Sequence, residues 1–376
     1  MRHCLLAVVI VCVVAPAITV AQDKVYVKNR EKFVAGKTKI DYIAGKITKE
    51  TPQGIDVTGV KVTISADEIV DIEYELNPVD VRLNIYRPAF NADLKAHDPK
   101  GEAQRKTNLA AALKGYEDTL NKLAADQEFA KRNVEYRIGY LLAQQARDNP
   151  ASATVAIKKL SAFKGTGRGG WQIVRAMHLL ANLQLEQNQF DDAEKTFDEL
   201  AGIRTVAEPI RQDAMLSAAK VSIRAKKYAQ ALAKLDRMMK DAGLPKDHPF
   251  MIRARVAQAE CLMAAKPTQD KGRGALREII KDTTDKGVKA AAYNTLGVSH
   301  FNAGEFKEAR WEFLWVDVVY NQDRAEHARA LYYLWRTFKE LGEGERAQEC
   351  LDALLSDRQF VGSEFQIQAQ RESKSS

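Results

Sequence analysis

The stretch LGVSHFNAGEFKEARWEFLWV, Leu296–Val316, decides how the rest of the chain is read. Phe306 stands three residues before Ala309, and Phe313 four after it. Residues three and four apart share one face of a helix, so the alanine leaves a shallow place on that face where a second helix can come close. Such a pattern belongs either to one site or to one copy of a repeated unit, and self-similarity decides between them. NQFDDAEKTFDEL places Phe190, Ala193 and Phe197 at the same offsets, and KKYAQALAKLDRM repeats them as Tyr228, Ala231 and Leu235. EGERAQECLDAL supplies Ala347 and Leu351 without the first aromatic. Weaker copies centre on Ala112 with Tyr116, Ala156 with Leu160 and Ala275 with Ile279.

Successive alanines are 44, 37, 38, 44, 34 and 38 residues apart, enough chain for two helices and two turns. Each good copy has a second amphipathic segment upstream: RAMHLLANLQLEQ, DAMLSAAKVSIRA, AYNTLGVSHFNAG and LYYLWRTFKELG. Ala181, Ala219 and Gly297 offer the matching small surface on that first helix. Gly304 and Gly342 fall where the first helix must stop and the chain turn. A hairpin of this kind leaves one apolar face uncovered, so copies must stack into a superhelix with a concave inner wall.

On these residues the helical part, about 105–360, resembles tetratricopeptide repeats (TPRs). The resemblance places Leu296 and Gly297 in a first helix, Gly304 at the turn, and Ala309 and Phe313 in the second helix; Trp335 stands where that family keeps a small residue. It implies an α-solenoid whose inner wall is lined by first-helix residues: Arg175, His178, Asn182, Lys220, Arg224, Asn294, Tyr332 and Arg336. Five of these eight are Arg, Lys or His. The lysine and asparagine clamp by which some TPR subfamilies hold a peptide carboxylate is not carried over, because Leu216 and Val298 stand where polar residues are wanted. Trp311 and Trp315, four apart on one helical face, either fill space between repeats or form an outer patch. Aromatic pairs at helical spacing usually fill cores, so burial is expected.

Outside the repeats the texture changes. From Asp23 to about residue 78 polar and apolar residues alternate with period two, as in VKVTISADEIVDIEYE, the mark of strands with one wet face. Four or five short antiparallel strands there are expected to form a small barrel or curled sheet, resembling SH3-like or Sm-like barrels. Residues 79–104 carry Pro78 at their border, Pro88, Pro99 and Gly101, and read as a linker. Residues 361–376, ending QAQRESKSS, lose the periodicity and are expected to be a flexible tail. The fold class expected is therefore mainly α, with a small β module in front.

The first 21 residues have Arg2 and His3, then the uncharged run CLLAVVIVCVVAPAITVA, and small residues at Thr19 and Ala21, which reads as a secretory signal. A membrane anchor is the alternative, weakened by Pro16 and by a length at the lower limit for spanning. Neither Cys4 nor Cys12 follows the small residue that a lipidation site wants. Past the signal only Cys261 and Cys350 remain, too few for a disulfide framework, and both read as small buried hydrophobes. The 376 residues carry a net charge of +7, which permits acidic partners without requiring them.

Chemistry is sparsely signalled. The glycines of FKGTGRGGW, Phe163–Trp171, lack the Gly-Lys-Ser/Thr and the preceding strand of a phosphate loop, and read as a turn between hairpins. No two histidines have metal-ligand spacing, and no serine or carboxylate pair composes a catalytic group. The expectation is an exported, non-catalytic adaptor without cofactor or metal, binding along the inner wall a protein or peptide of the cell envelope, an acidic one being a candidate, and no nucleic acid. Two rivals stand beside it. One is a cell-wall or glycan binder using the β module, with Tyr26, Tyr42 and Tyr74 as its candidate aromatics and the solenoid as spacer or oligomerisation arm. The other is a hydrolase assembled from distant repeats.

Overall fold

The computed structural model describes residues 22–29, 32–33, 42–97, 104–146, 149 and 151–374. The expected signal segment, with Cys4 and Cys12, lies outside them, as do Pro99 and Gly101. The chain divides into two compact units, Met1–Asn149 with Gly165–Ile173, and Pro150–Lys164 with Val174–Ser376.

In the first unit six strands form two three-stranded antiparallel sheets, ordered β2-β1-β6 and β3-β4-β5: β1 Asp23–Val27, β2 Tyr42–Gly45, β3 Ile47–Thr51, β4 Gly54–Val57, β5 Ile64–Ser65 and β6 Ile69–Glu73. Val25 pairs with Ile43 on one side and Ile72 on the other, and all three are buried, so the period-two alternation puts one face inside. Among the described residues the sheets do not close into a barrel.

The expected linker is helical where it is described. It runs as α1 Val79–Val81, a π-helical stretch Arg82–Tyr86, and α2 Arg87–Ala96. Pro78 and Pro88 misled the sequence reading because they stand at helix starts, as the N-cap of α1 and the second residue of α2. The segment plugs the sheet: Tyr86 and Phe90 are buried, Phe90 lies 5.8 Å from the ring of Tyr26, and the Tyr86 hydroxyl donates to the Ile72 carbonyl at 3.1 Å. Helices α3 Arg105–Leu120 and α4 Glu128–Ala146 complete this unit.

The second unit begins with most of α5, Ala151–Thr166. Five helical hairpins follow: α6 Ile173–Glu186 with α7 Phe190–Ala201, α8 Glu208–Arg224 with α9 Tyr228–Ala242, α10 Pro249–Met263 with α11 Lys266–Asp282, α12 Lys286–Asn302 with α13 Phe306–Val318, and α14 Arg324–Glu340 with α15 Gly344–Ser356. A last helix, α16, covers Glu364–Ser373 where a flexible tail was expected. It is anchored from behind by Phe360, Gln366 and Ala369, all buried.

The diagnostic pairs behave as geometry requires. Ala112/Tyr116, Ala156/Leu160, Ala193/Phe197, Ala231/Leu235, Ala309/Phe313 and Ala347/Leu351 are all buried. In α11 the register is corrected by three residues. Gly272 and Leu276 are buried while Ala275 is half-exposed, and a methyl group at Gly272 would meet the Ala259 carbonyl at 2.7 Å. Four hairpin turns share one construction: a residue with positive φ two positions before the second helix, namely Asn188 (57°), Lys226 (60°), Gly304 (77°) and Gly342 (74°). Each is followed by an amide that reaches back five residues, as Glu305 does to the His300 carbonyl at 2.9 Å, closing the first helix by the Schellman pattern. At Gly297 a methyl group would lie 2.5 Å from the Phe313 ring. Trp335 and Leu351 reverse that division of volume, with the large residue on the first helix, inside one core cluster.

Candidate functional site: the inner wall of the second unit

Stacked hairpins touch only their neighbours, so contacts between distant first helices can be made only across the concave side. One joins α14 to α10, where Arg329 lies 4.0 Å from Glu260, and Arg224 at the end of α8 pairs with Glu364 of the last helix, α16, at 2.8 Å. These contacts locate the inner wall and bring α8, α10, α14 and α16 to one surface.

The expected inner-wall residues divide into three groups. Asn182 and Lys220 are exposed and Arg175 is half-buried. His178 is also half-buried, edge-on to the Phe197 ring at 5.5 Å, and burial pushes its pKa below the usual histidine range. Asn294 is fully buried: its amide donates to the Glu326 carbonyl at 2.8 Å and to the Glu326 carboxylate at 2.7 Å, tying α12 to α14. Asn294 therefore braces the wall and does not face a ligand. Arg224, Tyr332 and Arg336 form the third group, and all three are engaged by the chain itself.

That engagement is specific. The Tyr332 hydroxyl donates to Glu372 at 2.7 Å and receives a hydrogen bond from Arg336 at 3.3 Å. The Arg336 guanidinium also lies over the Phe301 ring at 5.0 Å and the Tyr332 ring at 5.6 Å. Phe365 of α16 meets Tyr332 at 5.6 Å and Tyr333 at 6.3 Å between ring centroids. Sequence reasoning missed Arg329 and Tyr333, although the spacing Arg329, Tyr333, Arg336 repeats four and three along one face of α14. Burial works against the charge of Arg329, but Glu326 and Glu260 outweigh it and hold the group above the ordinary arginine range. The wall thus carries the guanidinium groups of Arg224, Arg329 and Arg336, with aromatic rings between them.

The other features singled out from the sequence fall elsewhere. Trp311 and Trp315 are exposed at 61% and 46%, on the outer face of α13, which corrects the expectation of burial. Trp315 stacks on Tyr293 at 5.8 Å, and Val318 continues the exposed stripe. Burial raises the thiols of Cys261 and Cys350 to about 12, as suits inert cysteines.

In the first unit, Gly170 of the glycine-rich loop presses against the Arg132 side chain, where a methyl group would lie at 2.3 Å, and the buried Trp171 packs on Tyr136. Arg132 in turn holds the buried Glu50 at 2.7 Å, and Glu50 accepts from Tyr74 at 2.5 Å. Arg137 bridges the buried carboxylates of Asp93 and Asp71. Tyr74 is thus inside, and Tyr26 packs against Tyr42 and Phe90, so these rings serve the fold.

Among the described residues no helix is long and apolar enough to cross a membrane, and no group of three or more His, Cys, Asp or Glu could hold a metal ion.

No protein-family model and no curated protein matches the chain. Solved structures do. A tetratricopeptide repeat protein from Parabacteroides merdae ATCC 43184 is 14% identical with a TM-score of 0.50, covering 77% of this chain and 98% of its own. The apo form of RapI is 16% identical with a TM-score of 0.44, covering 78% of this chain and 100% of its own. At such identity the first likeness establishes architecture and nothing about ligands. Together with the buried small-residue pairs and the repeated hairpin turn, it gives the helical region of this chain the tetratricopeptide-repeat fold.

Proposed function

We propose that this chain is a non-catalytic, exported adaptor that binds an acidic protein or peptide of the cell envelope through the inner wall of the second unit. The observation that carries the reading is the wall's chemistry: Arg224, Arg329 and Arg336 converge there with Tyr332, Tyr333 and Phe301 between them. Guanidinium groups beside aromatic faces favour carboxylates flanked by apolar side chains. Export rests on the character of residues 1–21, and the envelope partner on export.

The experiment is capture from a native envelope extract with the full mature chain, run beside a variant carrying Lys220→Glu, Arg224→Glu and Arg336→Glu. Proteins retained by the first and absent from the second support the adaptor. Equal retention by both would remove the inner wall from the account.

A further inference from the structure

The inner wall is not bare, because this chain lays its own last helix on it. Helix α16 has two faces. Gln366 and Ala369 turn toward the last hairpin, where the Gln366 amide donates to the Leu354 carbonyl at 3.1 Å. Glu364, Phe365 and Glu372 turn toward the wall, meeting Arg224, the Tyr332 and Tyr333 rings, and the Tyr332 hydroxyl respectively. Glu364 and Glu372 are eight positions apart, about 12 Å along a helix. The wall therefore already holds a helical segment with one carboxylate beside an aromatic ring and a second carboxylate two turns on.

The attachment is uneven: Ala369 joins the core cluster of the last hairpin and Phe365 packs against it, while the rest of the helix is polar. Ten residues make a helix that is marginal on its own, and among those ten only Gln366 and Ala369 are buried. The Arg224–Glu364 pair is partly exposed on both sides, which makes it a weak tether in water. The firm anchor comes earlier, at the buried Phe360, which meets His327 edge-on at 5.2 Å. Between anchor and helix stand the exposed Val361 and Gly362, whose φ of 78° only glycine adopts without strain. The construction is an anchor, a pivot and a polar helix resting on a cationic-aromatic surface.

We infer that α16 is a resident ligand of the inner wall, and that the external partner presents a helical segment of the same chemistry, Glu-Phe followed by an acid two turns later, which displaces it. This rests on the adaptor reading and specifies its partner.

The test uses a fluorescein-labelled peptide of residues 362–376, GSEFQIQAQRESKSS, and fluorescence anisotropy. Three proteins are compared: the full mature chain, the full chain with Glu364→Lys and Glu372→Lys, and the chain ended after Gly362, each checked for intact helix content. The last two should bind the peptide at least tenfold more tightly than the first. Arg224→Glu with Arg336→Glu in the ended chain should lose that gain, and a peptide with Glu364→Gln and Glu372→Gln should bind as weakly as to the full chain. Equal affinity for all three proteins, or affinity indifferent to the two arginines, overturns the inference. If the inference fails while envelope capture still depends on the arginines, the adaptor reading stands without it. If the peptide behaves as expected and the envelope yields nothing, the adaptor reading fails alone.

Discussion

Arg224 of α8 and Glu364 of α16 lie 2.8 Å apart, although three complete hairpins separate their helices in the chain. Because both side chains are partly exposed, the pair contributes at most about 1 kcal/mol. Arg224→Ala should therefore leave the denaturation midpoint of the second unit almost unchanged. It should speed amide hydrogen exchange in α16 several-fold while leaving α14 protected. A large fall in global stability would mean that the pair is structural and α16 no latch.

The close approach of α12 and α13 depends on Gly297 having no side chain. Gly297→Ala drives a methyl into the Phe313 ring and should cost about 1–3 kcal/mol, the usual penalty of overpacking. Phe313→Leu in the same chain should recover part of that loss, since it removes the atoms that clash. Chemical denaturation of the single and double variants measures both. Gly272→Ala should be similarly harmful, and Ala275→Gly should cost only the helix-propensity difference of about 1 kcal/mol.

The hairpin turn at Lys226 uses a left-handed conformation that glycine accepts and lysine resists. Lys226→Gly should stabilise the second unit by about 1 kcal/mol, read as a rise in melting temperature. The corresponding change at Gly304, Gly304→Lys, should have the opposite sign.

In the first unit, His97 donates to Asp93, and Arg137 joins Asp93 to Asp71. The hydrogen bond to Asp93 raises His97 above its ordinary 6.5. Its contribution to stability is thus complete below that value and is lost as the pH rises through the raised one. Asp93 is opposed by burial but held below its ordinary 3.8 by His97 and Arg137, so its contribution is present above 3.8 and is lost as the pH falls. Asp71 is raised by burial against the pull of Arg137, so its contribution is complete below 3.8 and is lost as the pH rises through the raised value. Urea unfolding should therefore show the first unit more stable at about pH 5.5 than at about pH 8, and His97→Gln should shrink the difference. Arg137→Ala removes the cation that joins the two buried carboxylates and should cost about 3–5 kcal/mol.

The solenoid was legible because its rule is local. A small residue followed four positions later by a large apolar one marks every second helix, and the intervals count out the hairpins. The slip at α11 arose because Ala275 and Ile279 satisfy the same rule as Gly272 and Leu276, and only the packing of α10 against Gly272 separates them. Helix α16 was missed because EFQIQAQRES offers only the short apolar pair Phe365 and Ala369; the helix is held as well by Tyr332, Arg224 and Gln366, contacts that sequence spacing does not express. The same limit applies to Asn294 and Tyr332, whose amide NH2 and hydroxyl donate to partners more than thirty positions away. The outward turn of Trp311 follows from its place two residues after Ala309, nearly opposite the packed face.

The most direct test of the inner wall is hydrogen exchange by mass spectrometry on the full mature chain, alone and in complex with the envelope protein recovered by capture. The account predicts new protection in α8 and α14, around Arg224 and Arg329–Arg336, together with faster exchange in α16 as it leaves the wall. Protection confined to the Trp311–Val318 face of α13 or to the β-sheets, with α8, α14 and α16 unchanged, would contradict it.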